Sequence, residues 1–271
     1  MSEEQLRCCV LASGSSGNAV YVDCGETRVL VDAGVGPRRV AKALAEAGLQ
    51  VDQVDAILVT HEHSDHVKGL RTVAKQLNAP IYTTAGTWSA IAGMWSESET
   101  VVARRVTAGT PFSLGSLVIE PFALPHDANE PTGFCFYAGR TKLAIATDLG
   151  YVNDRIREAV AGAAVLVLET NHDVELLRAG SYPWHLKRRI LGDRGHLSNE
   201  AGAQMLVDVL DEQVQTVCLA HLSQDNNRPE LARRAVDTML GEVSSAIRER
   251  LSVHIAGPLH PTPVFTVPVR P

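Results

Sequence analysis

Five residues able to bind metal or move protons, His61, His126, Asp148, Glu169 and His221, each stand at or just after the end of an apolar run that reads as a buried strand. Loops at strand ends are where sheet proteins assemble their sites, so five such coincidences along one chain imply a common edge. Two sheets packed face to face, with helices outside, would meet that requirement.

The densest stretch is Thr60-His61-Glu62-His63-Ser64-Asp65-His66, directly after the apolar run Ala56-Ile57-Leu58-Val59. If the chain stays extended one step beyond the strand, His61 and His63 project to the same side. Asp65 and His66 are adjacent, so one backbone cannot aim both at the spot served by the first pair. A turn there delivers the ligands in two groups, which suits two metal ions better than one. The helical His-Glu-x-x-His arrangement is excluded, because Asp65 stands where its second histidine belongs. Three histidines this close together, in a chain with only 10, mark a metal site.

The element order supports the two-sheet reading. Strand patterns over 7–12, 19–23 and 28–32 form an antiparallel meander, interrupted by the Ser/Gly loop 13–18. That loop reads as a flexible turn or a weak phosphate cradle, since it lacks the Lys-Ser/Thr of a P-loop. Asp32 ends the third strand. A helix over 37–47 follows, with Gly48 as its stop, then the strand 56–59, a helix over 67–77, a strand at 81–83 and helical pattern over 84–95, where Trp88 and Trp95 read as core or hydrophobic cover. Strands recur around 101–106, 117–121, 133–137 and 143–147, then a helix over 152–160 and a strand at 164–168. A helix over 200–210 capped by Ser198 or Asn199, a strand at 216–220, a long helix over 229–248 and a strand near 251–255 precede a Pro-rich tail. Strands then helices occur twice over, without an internal sequence repeat.

A length of 271 residues permits a single domain spanning 1–271. The net charge of −6 excludes a surface that is basic throughout. Contact with nucleic acid would need a local patch, for which Lys187, Arg188, Arg189 and Arg194 are candidates, although such a run more often forms a solvated helix face. His172 and Asp173 read equally as site-edge residues or as a helix start. The 5 cysteines lack zinc-ribbon spacing and read as reduced core residues, with Cys8 and Cys9 on opposite faces of the first strand. With no secretory pattern and no run of membrane-spanning length, a cytoplasmic location without membrane contact is expected; no feature assigns an oligomeric state.

Asp32 after a strand, the His61-x-His63-x-Asp65-His66 motif, His126, Asp148 and His221 together resemble the metallo-β-lactamase superfamily over essentially the whole chain. Within it, Ser13–Asn18, Pro125-His126-Asp127, Glu169–Asp173, Tyr182-Pro183 and Gly195–Asn199 look like the YycJ/WalJ group of metal-dependent nucleases. The resemblance implies an α/β fold, a four-layer αββα sandwich with two mixed sheets. It implies two divalent metal ions, zinc or manganese: His61, His63 and His126 on one, Asp65, His66 and His221 on the other, and Asp148 bridging. Asp32 would hydrogen-bond a ligand histidine and fix its tautomer. Two ions about 3.5–4 Å apart can bridge a water and lower its pKa toward about 7, giving hydroxide at neutral pH. Glu169 and His196 resemble a Glu and a Gly-His-Ser histidine of tRNase Z enzymes, which implies protonation of the leaving group.

The leading expectation is therefore a dinuclear phosphodiesterase with DNA, rather than RNA, as substrate, acting as a 5′-to-3′ exonuclease through a metal-bridged hydroxide. The alternative is a small-molecule hydrolase of the same fold, acting on cyclic nucleotides, thioesters or lactones. Asp65 and Asp148 fit both, while Glu169, His196 and the Ser/Gly loop favour phosphate esters. Residues 149–220 are too few for the large domain that related RNA-processing nucleases insert there.

Overall fold

The computed structural model describes residues 4–50, 52–96 and 99–271. The first half runs β1 (Gln5–Ala12), β2 (Ala19–Cys24), β3 (Thr27–Val31), α1 (Pro37–Glu46), β4 (Ala56–Leu58), α2 (Ser64–Val67), α3 (Leu70–Leu77), β5 (Ile81–Thr83), α4 (Ala85–Ile91) and β6 (Ala103–Arg105). The second half runs β7 (Phe112–Leu114), β8 (Leu117–Ala123), β9 (Thr132–Ala138), β10 (Thr141–Ala146), α5 (Asp154–Val160), β11 (Val165–Glu169), α6 (Val174–Ala179), α7 (Trp184–Ile190) and α8 (Asn199–Val209). It closes with β12 (Thr216–Ala220), α9 (Pro229–Leu240), α10 (Ser245–Arg248), β13 (Ser252–Ile255) and β14 (Phe265–Pro268).

These strands form two seven-stranded sheets, ordered β14-β1-β2-β3-β4-β5-β6 and β13-β12-β11-β10-β9-β8-β7. Each is mixed in the same way. β14, β1, β2 and β3 pair antiparallel, and β3 to β6 pair parallel. Likewise β7 to β10 pair antiparallel, and β10 to β13 pair parallel. The two halves thus share a topology, as the doubled strand-then-helix order implies.

Side-chain alternation sets the layers. On β1, Leu6, Cys8 and Val10 join a core between the sheets with Phe134, Phe136, Ile145 and Val167. Cys9 and Leu11 point the other way, into an outer core with Val40 and Leu44 of α1 and Val73 and Leu77 of α3. The second sheet has its own outer core, where Leu166 and Leu219 meet Ile156 of α5, Leu206 of α8 and Val236 of α9. The result is an αββα sandwich. Each large side chain enclosed between the sheets contributes about 1.5–3 kcal/mol relative to exposure. All five cysteines are free and buried, as expected. Trp88 and Trp95 stack at 5.4 Å over the first outer core.

β7 falls where no strand was expected, and three expected stretches differ in the structure. The helix over 67–77 is two pieces, α2 starting at Ser64 and α3 at Leu70, because Gly69 lies under the backbone of Ala33 and Val35, and its N–H donates to Ala33 O at 2.9 Å. The helix over 229–248 breaks at Gly241, where helix propensity falls. The Pro-rich tail is not irregular throughout: Thr262 N donates to Val10 O, Thr262 Oγ1 accepts from Val10 N, and β14 pairs along β1. Pro268 is tolerated because β14 is an edge strand, whose outer N–H needs no partner.

The alternation on β14 is testable. Val267 is 2% exposed, whereas Thr266 faces solvent. Val267→Asp buries an unpaired charge and should cost about 3 kcal/mol or more in urea unfolding, while Thr266→Asp should stay within about 0.5 kcal/mol.

Candidate metal centre

The parallel strands of both sheets end at one rim, and every residue expected at the site lies there. Asp32 follows β3, His61 to His66 follow β4, Asp148 follows β10, Glu169 ends β11 and His221 follows β12; His126 comes from the loop after β8. Asp32, Asp148 and His221 leave their strands through left-handed backbone, with φ of 60°, 66° and 59°. Among the described residues only Asn78 shares that conformation without being glycine. Such backbone is uncommon for side chains larger than glycine and clusters at functional sites.

The donor atoms fall into two groups around Asp148. In one, His63 Nδ1 is 3.2 Å from His126 Nε2, and the His61 ring lies beside both, at centroid distances of 4.6 and 5.0 Å. In the other, Asp65 Oδ2 is 3.4 Å from His66 Nε2 and 3.3 Å from His221 Nε2. Asp148 reaches both: Oδ2 is 3.4 Å from His66 Nε2, while Oδ1 is 3.4 Å from His221 Nε2 and 3.8 Å from His126 Nε2. Within each group the possible ligand atoms lie within 4.8 Å of one another.

Partners behind the imidazoles fix their tautomers. His66 Nδ1 donates to Asp32 Oδ2 at 2.7 Å, His221 Nδ1 to Glu169 Oε1 at 3.0 Å, and His126 Nδ1 to the Gly195 carbonyl at 3.0 Å. Thr60 Oγ1 donates to Asp32 Oδ2 at 2.8 Å, which leaves its oxygen to accept from His61 Nδ1 at 3.0 Å. Each Nε2 therefore presents a lone pair to the interior, as metal-ligating histidines do. His61 Nε2 and Asp148 Oδ2 are buried without any hydrogen-bond partner. Two orphaned polar atoms at the meeting point of the groups fit divalent cations.

Electrostatics lead to the same conclusion. Burial, reinforced by the neighbouring histidines, drives His61 well below its ordinary pKa. At His221, burial is overcome by Asp148, Asp65 and Glu169, and the imidazole is pushed up to about 10. His66 is likewise raised, against its burial, by Asp148 and Asp32. Asp65 and Glu169 stay ionised far below the usual carboxylate range, since hydrogen bonds and charge from the histidines overcome desolvation. A divalent cation among these carboxylates would supply the positive charge they call for and leave each Nε2 unprotonated.

The Ser/Gly loop has a role that neither sequence reading anticipated. Asn18 N donates to Asp65 O at 2.8 Å, and Asn18 Nδ2 donates to Asp65 Oδ2 at 3.1 Å. Ser13 Oγ accepts from His221 N at 2.7 Å. A Cβ on Gly34 would sit 1.6 Å from Asp65 O, so only glycine fits beside this turn. The loop ties ligands of both halves together, while Ser15 reaches the cavity above them.

That cavity has a volume of about 390 Å³, and Asp65, Asp148, His63, His196 and His221 line it. Glu169, fully buried, accepts from His196 Nδ1 at 2.9 Å, while the His196 side chain is 21% exposed. Asp173 is a helix start, its carboxylate accepting from Leu176 N at 2.8 Å. His172 is buried with neither ring nitrogen hydrogen-bonded. The basic stretch divides. Lys187 is buried, with Nζ 2.6 Å from the carbonyls of Arg178 and Gly180; Arg188 and Arg194 are exposed; Arg189 lines the cavity and pairs with Asp127. Asn171, whose Nδ2 donates to His221 O at 2.8 Å, and Asp127 also belong to the site; both fall in stretches that carry the family resemblance, where the sequence assigned neither a role.

The model of the β-lactamase superfamily domain matches residues 27–222. The chain belongs to the metallo-β-lactamase superfamily. It is 42% identical over 255 residues to the exodeoxyribonuclease YycJ of Bacillus anthracis, covering 94% of this chain and 97% of that one. It is 36% identical over 272 residues to the exodeoxyribonuclease WalJ of Streptococcus pneumoniae, covering 98% of this chain and 100% of that one. Among solved structures, the metallo-β-lactamase fold protein YhfI of Bacillus subtilis superposes with a TM-score of 0.72 at 16% identity, covering 98% of this chain and all of the other, which shows the shared fold.

Replacing Asp32 by Asn keeps the left-handed backbone accessible but substitutes an amide for one of the two carboxylate oxygens that bind Thr60 and His66. Asp32→Asn should weaken divalent metal binding about 10- to 100-fold in a competition titration, with the folded far-UV spectrum retained.

Proposed function

We propose that the chain is a dinuclear metal-dependent phosphodiesterase that degrades DNA as a 5′-to-3′ exonuclease. The observation that carries this reading is the pair of donor groups flanking Asp148 at the floor of the cavity that also exposes His196. His61, His63 and His126 would hold one ion, Asp65, His66 and His221 the other, with Asp148 shared. Imidazole and carboxylate donors suit zinc and admit manganese. When bound, such ions supply hydroxide at neutral pH and positive charge for the phosphoryl oxygens.

The chain's own residues supply the rest. Asp65 is held ionised by the histidines and oriented by Asn18, and Asp148 is aimed inward between His66, His126 and His221. Glu169 keeps His196 Nδ1 occupied, so that Nε2 is the nitrogen free to deliver a proton to the departing alkoxide. The names of the YycJ and WalJ relatives, matched over nearly full length, support DNA as the substrate.

Duplex DNA labelled at either end, with manganese or zinc, tests the reading beside a cyclic nucleotide and a thioester. The expected outcome is immediate release of the 5′ label as mononucleotide, a shortening ladder from the 3′ label, and background activity for His63→Ala. Turnover of the small molecules alone would sink it.

The proton-delivery role has a separate signature. His196→Ala should slow cleavage of a DNA phosphodiester by about 100-fold, but hydrolysis of an aryl phosphodiester, whose leaving group needs no proton, far less. Equal losses on both substrates would remove His196 from that role.

A further inference from the structure

Among the described residues, Arg189 is the sole Lys or Arg side chain lining the cavity, whose walls also carry Asp65, Asp127 and Asp148. Its Nε donates to Asp127 Oδ2. No hydrogen bond to the described residues satisfies Nη1 or Nη2, and the side chain is 56% exposed. Asp127 is itself aimed at the metal centre: Oδ1 lies 3.4 Å from His126 Nε2 and 3.9 Å from His63 Nε2, buried with no hydrogen-bond partner. One carboxylate therefore stands between a guanidinium and the first histidine group.

The support beneath Arg189 is rigid. Lys187, two residues earlier on α7, is buried and clamps the carbonyls of Arg178 and Gly180. The next residue, Ile190, accepts from His196 N at 3.0 Å, so one turn of chain places both Arg189 and the imidazole opposite it. Asp127 N is in turn anchored to Arg194 O at 3.1 Å. An exposed ion pair alone contributes little to stability, typically under about 1 kcal/mol. A pair held this way, with both terminal nitrogens unspent, is better suited to receive a ligand than to brace the fold.

We propose that Arg189 is the phosphate-recognition residue of this site and that Asp127 is its positioning residue. The inference rests on the phosphodiesterase reading and sharpens it: the substrate is an anion whose phosphate takes two parallel hydrogen bonds from the guanidinium fork, a geometry lysine cannot supply. Asp127 holds Nε, setting the plane of the fork toward the metal centre. In a cavity with three aspartates, Arg189 offsets the repulsion that an entering phosphodiester meets. A neutral thioester or lactone would leave this group without a partner.

The test compares wild type, Arg189→Ala, Arg189→Lys and Asp127→Asn, each metal-loaded, on a short deoxyoligonucleotide, with inorganic phosphate as competing ligand. Arg189→Ala should lower kcat/KM about 10- to 100-fold and weaken phosphate inhibition by a similar factor, at unchanged metal content and melting temperature. Arg189→Lys should recover only part of the loss, because charge is restored without the fork. Asp127→Asn should fall between these and keep both metals. Wild-type kcat/KM and wild-type phosphate inhibition in Arg189→Ala would overturn the proposal. Loss of metal from Asp127→Asn would overturn the positioning role and make Asp127 a ligand. A wild type inactive on every phosphodiester would instead refute the phosphodiesterase reading, while a thermal shift with inorganic phosphate, compared between wild type and Arg189→Ala, would still decide whether Arg189 binds phosphate.

Discussion

A fully buried carboxylate, Glu169, accepts hydrogen bonds from the backbone N–H groups of Asp148, Leu149 and Leu197 and from the imidazoles of His196 and His221. An ionised carboxylate without such partners would cost several kcal/mol to bury, so these contacts are a condition of the fold rather than an ornament of the site. They join the ends of β10, β11 and β12 to the segment that follows α7. The first half has a counterpart in Asp32, which accepts from Thr60 N, Thr60 Oγ1 and His66 Nδ1. Each sheet thus hides one anion behind its rim and uses it to aim a histidine at the other sheet's ligands.

Aiming inward has a backbone cost. Asp32, Asp148 and His221 adopt left-handed φ values, at about 1–3 kcal/mol each for a residue with a side chain, less for aspartate. At His221 the surroundings leave no freedom to relax. Its N–H donates to Ser13 Oγ and its carbonyl accepts from Asn171 Nδ2, which belong to opposite halves of the chain. This explains why the Ser/Gly loop sits where it does. It replaces the strand hydrogen bonds that β12 loses when the chain turns abruptly at Ala220 to bring His221 over the rim.

Much of this was legible in the sequence, for a physical reason. A strand buried on both faces reads as an apolar run, and a chemistry-bearing residue directly after it can only lie at the sheet edge; that placed Asp148, Glu169 and His221. Alternation also placed Cys8 and Cys9 in different cores. What was hidden depended on contacts between distant segments. Arg189 meets Asp127 across 62 positions, and in sequence it is one charge in a basic run whose members, Arg189 included, have three different fates. Tail residues 258–268 carry prolines that argue against a strand until an open edge beside β1 makes them acceptable. Gly34 and Gly69 look like ordinary loop glycines until Asp65 O and Val35 O are found where their side chains would be.

The two halves share a topology, yet they contribute unequally to the centre. The first half supplies His61, His63, Asp65 and His66 from a single turn, with His61, His66 and Asp65 positioned by Thr60, Asp32 and Asn18 of the same half. The second half supplies His126, Asp148 and His221, and adds between β11 and β12 a stretch the first half lacks, containing α6, α7 and His196. That stretch builds the cavity wall with Tyr182, Leu186, Arg189 and Ile190. Its support comes from Lys187, Asp127 and Glu169 rather than from the ligand set. Substitutions on the cavity face of α7 would then alter the cavity wall while leaving in place the groups that would hold metal.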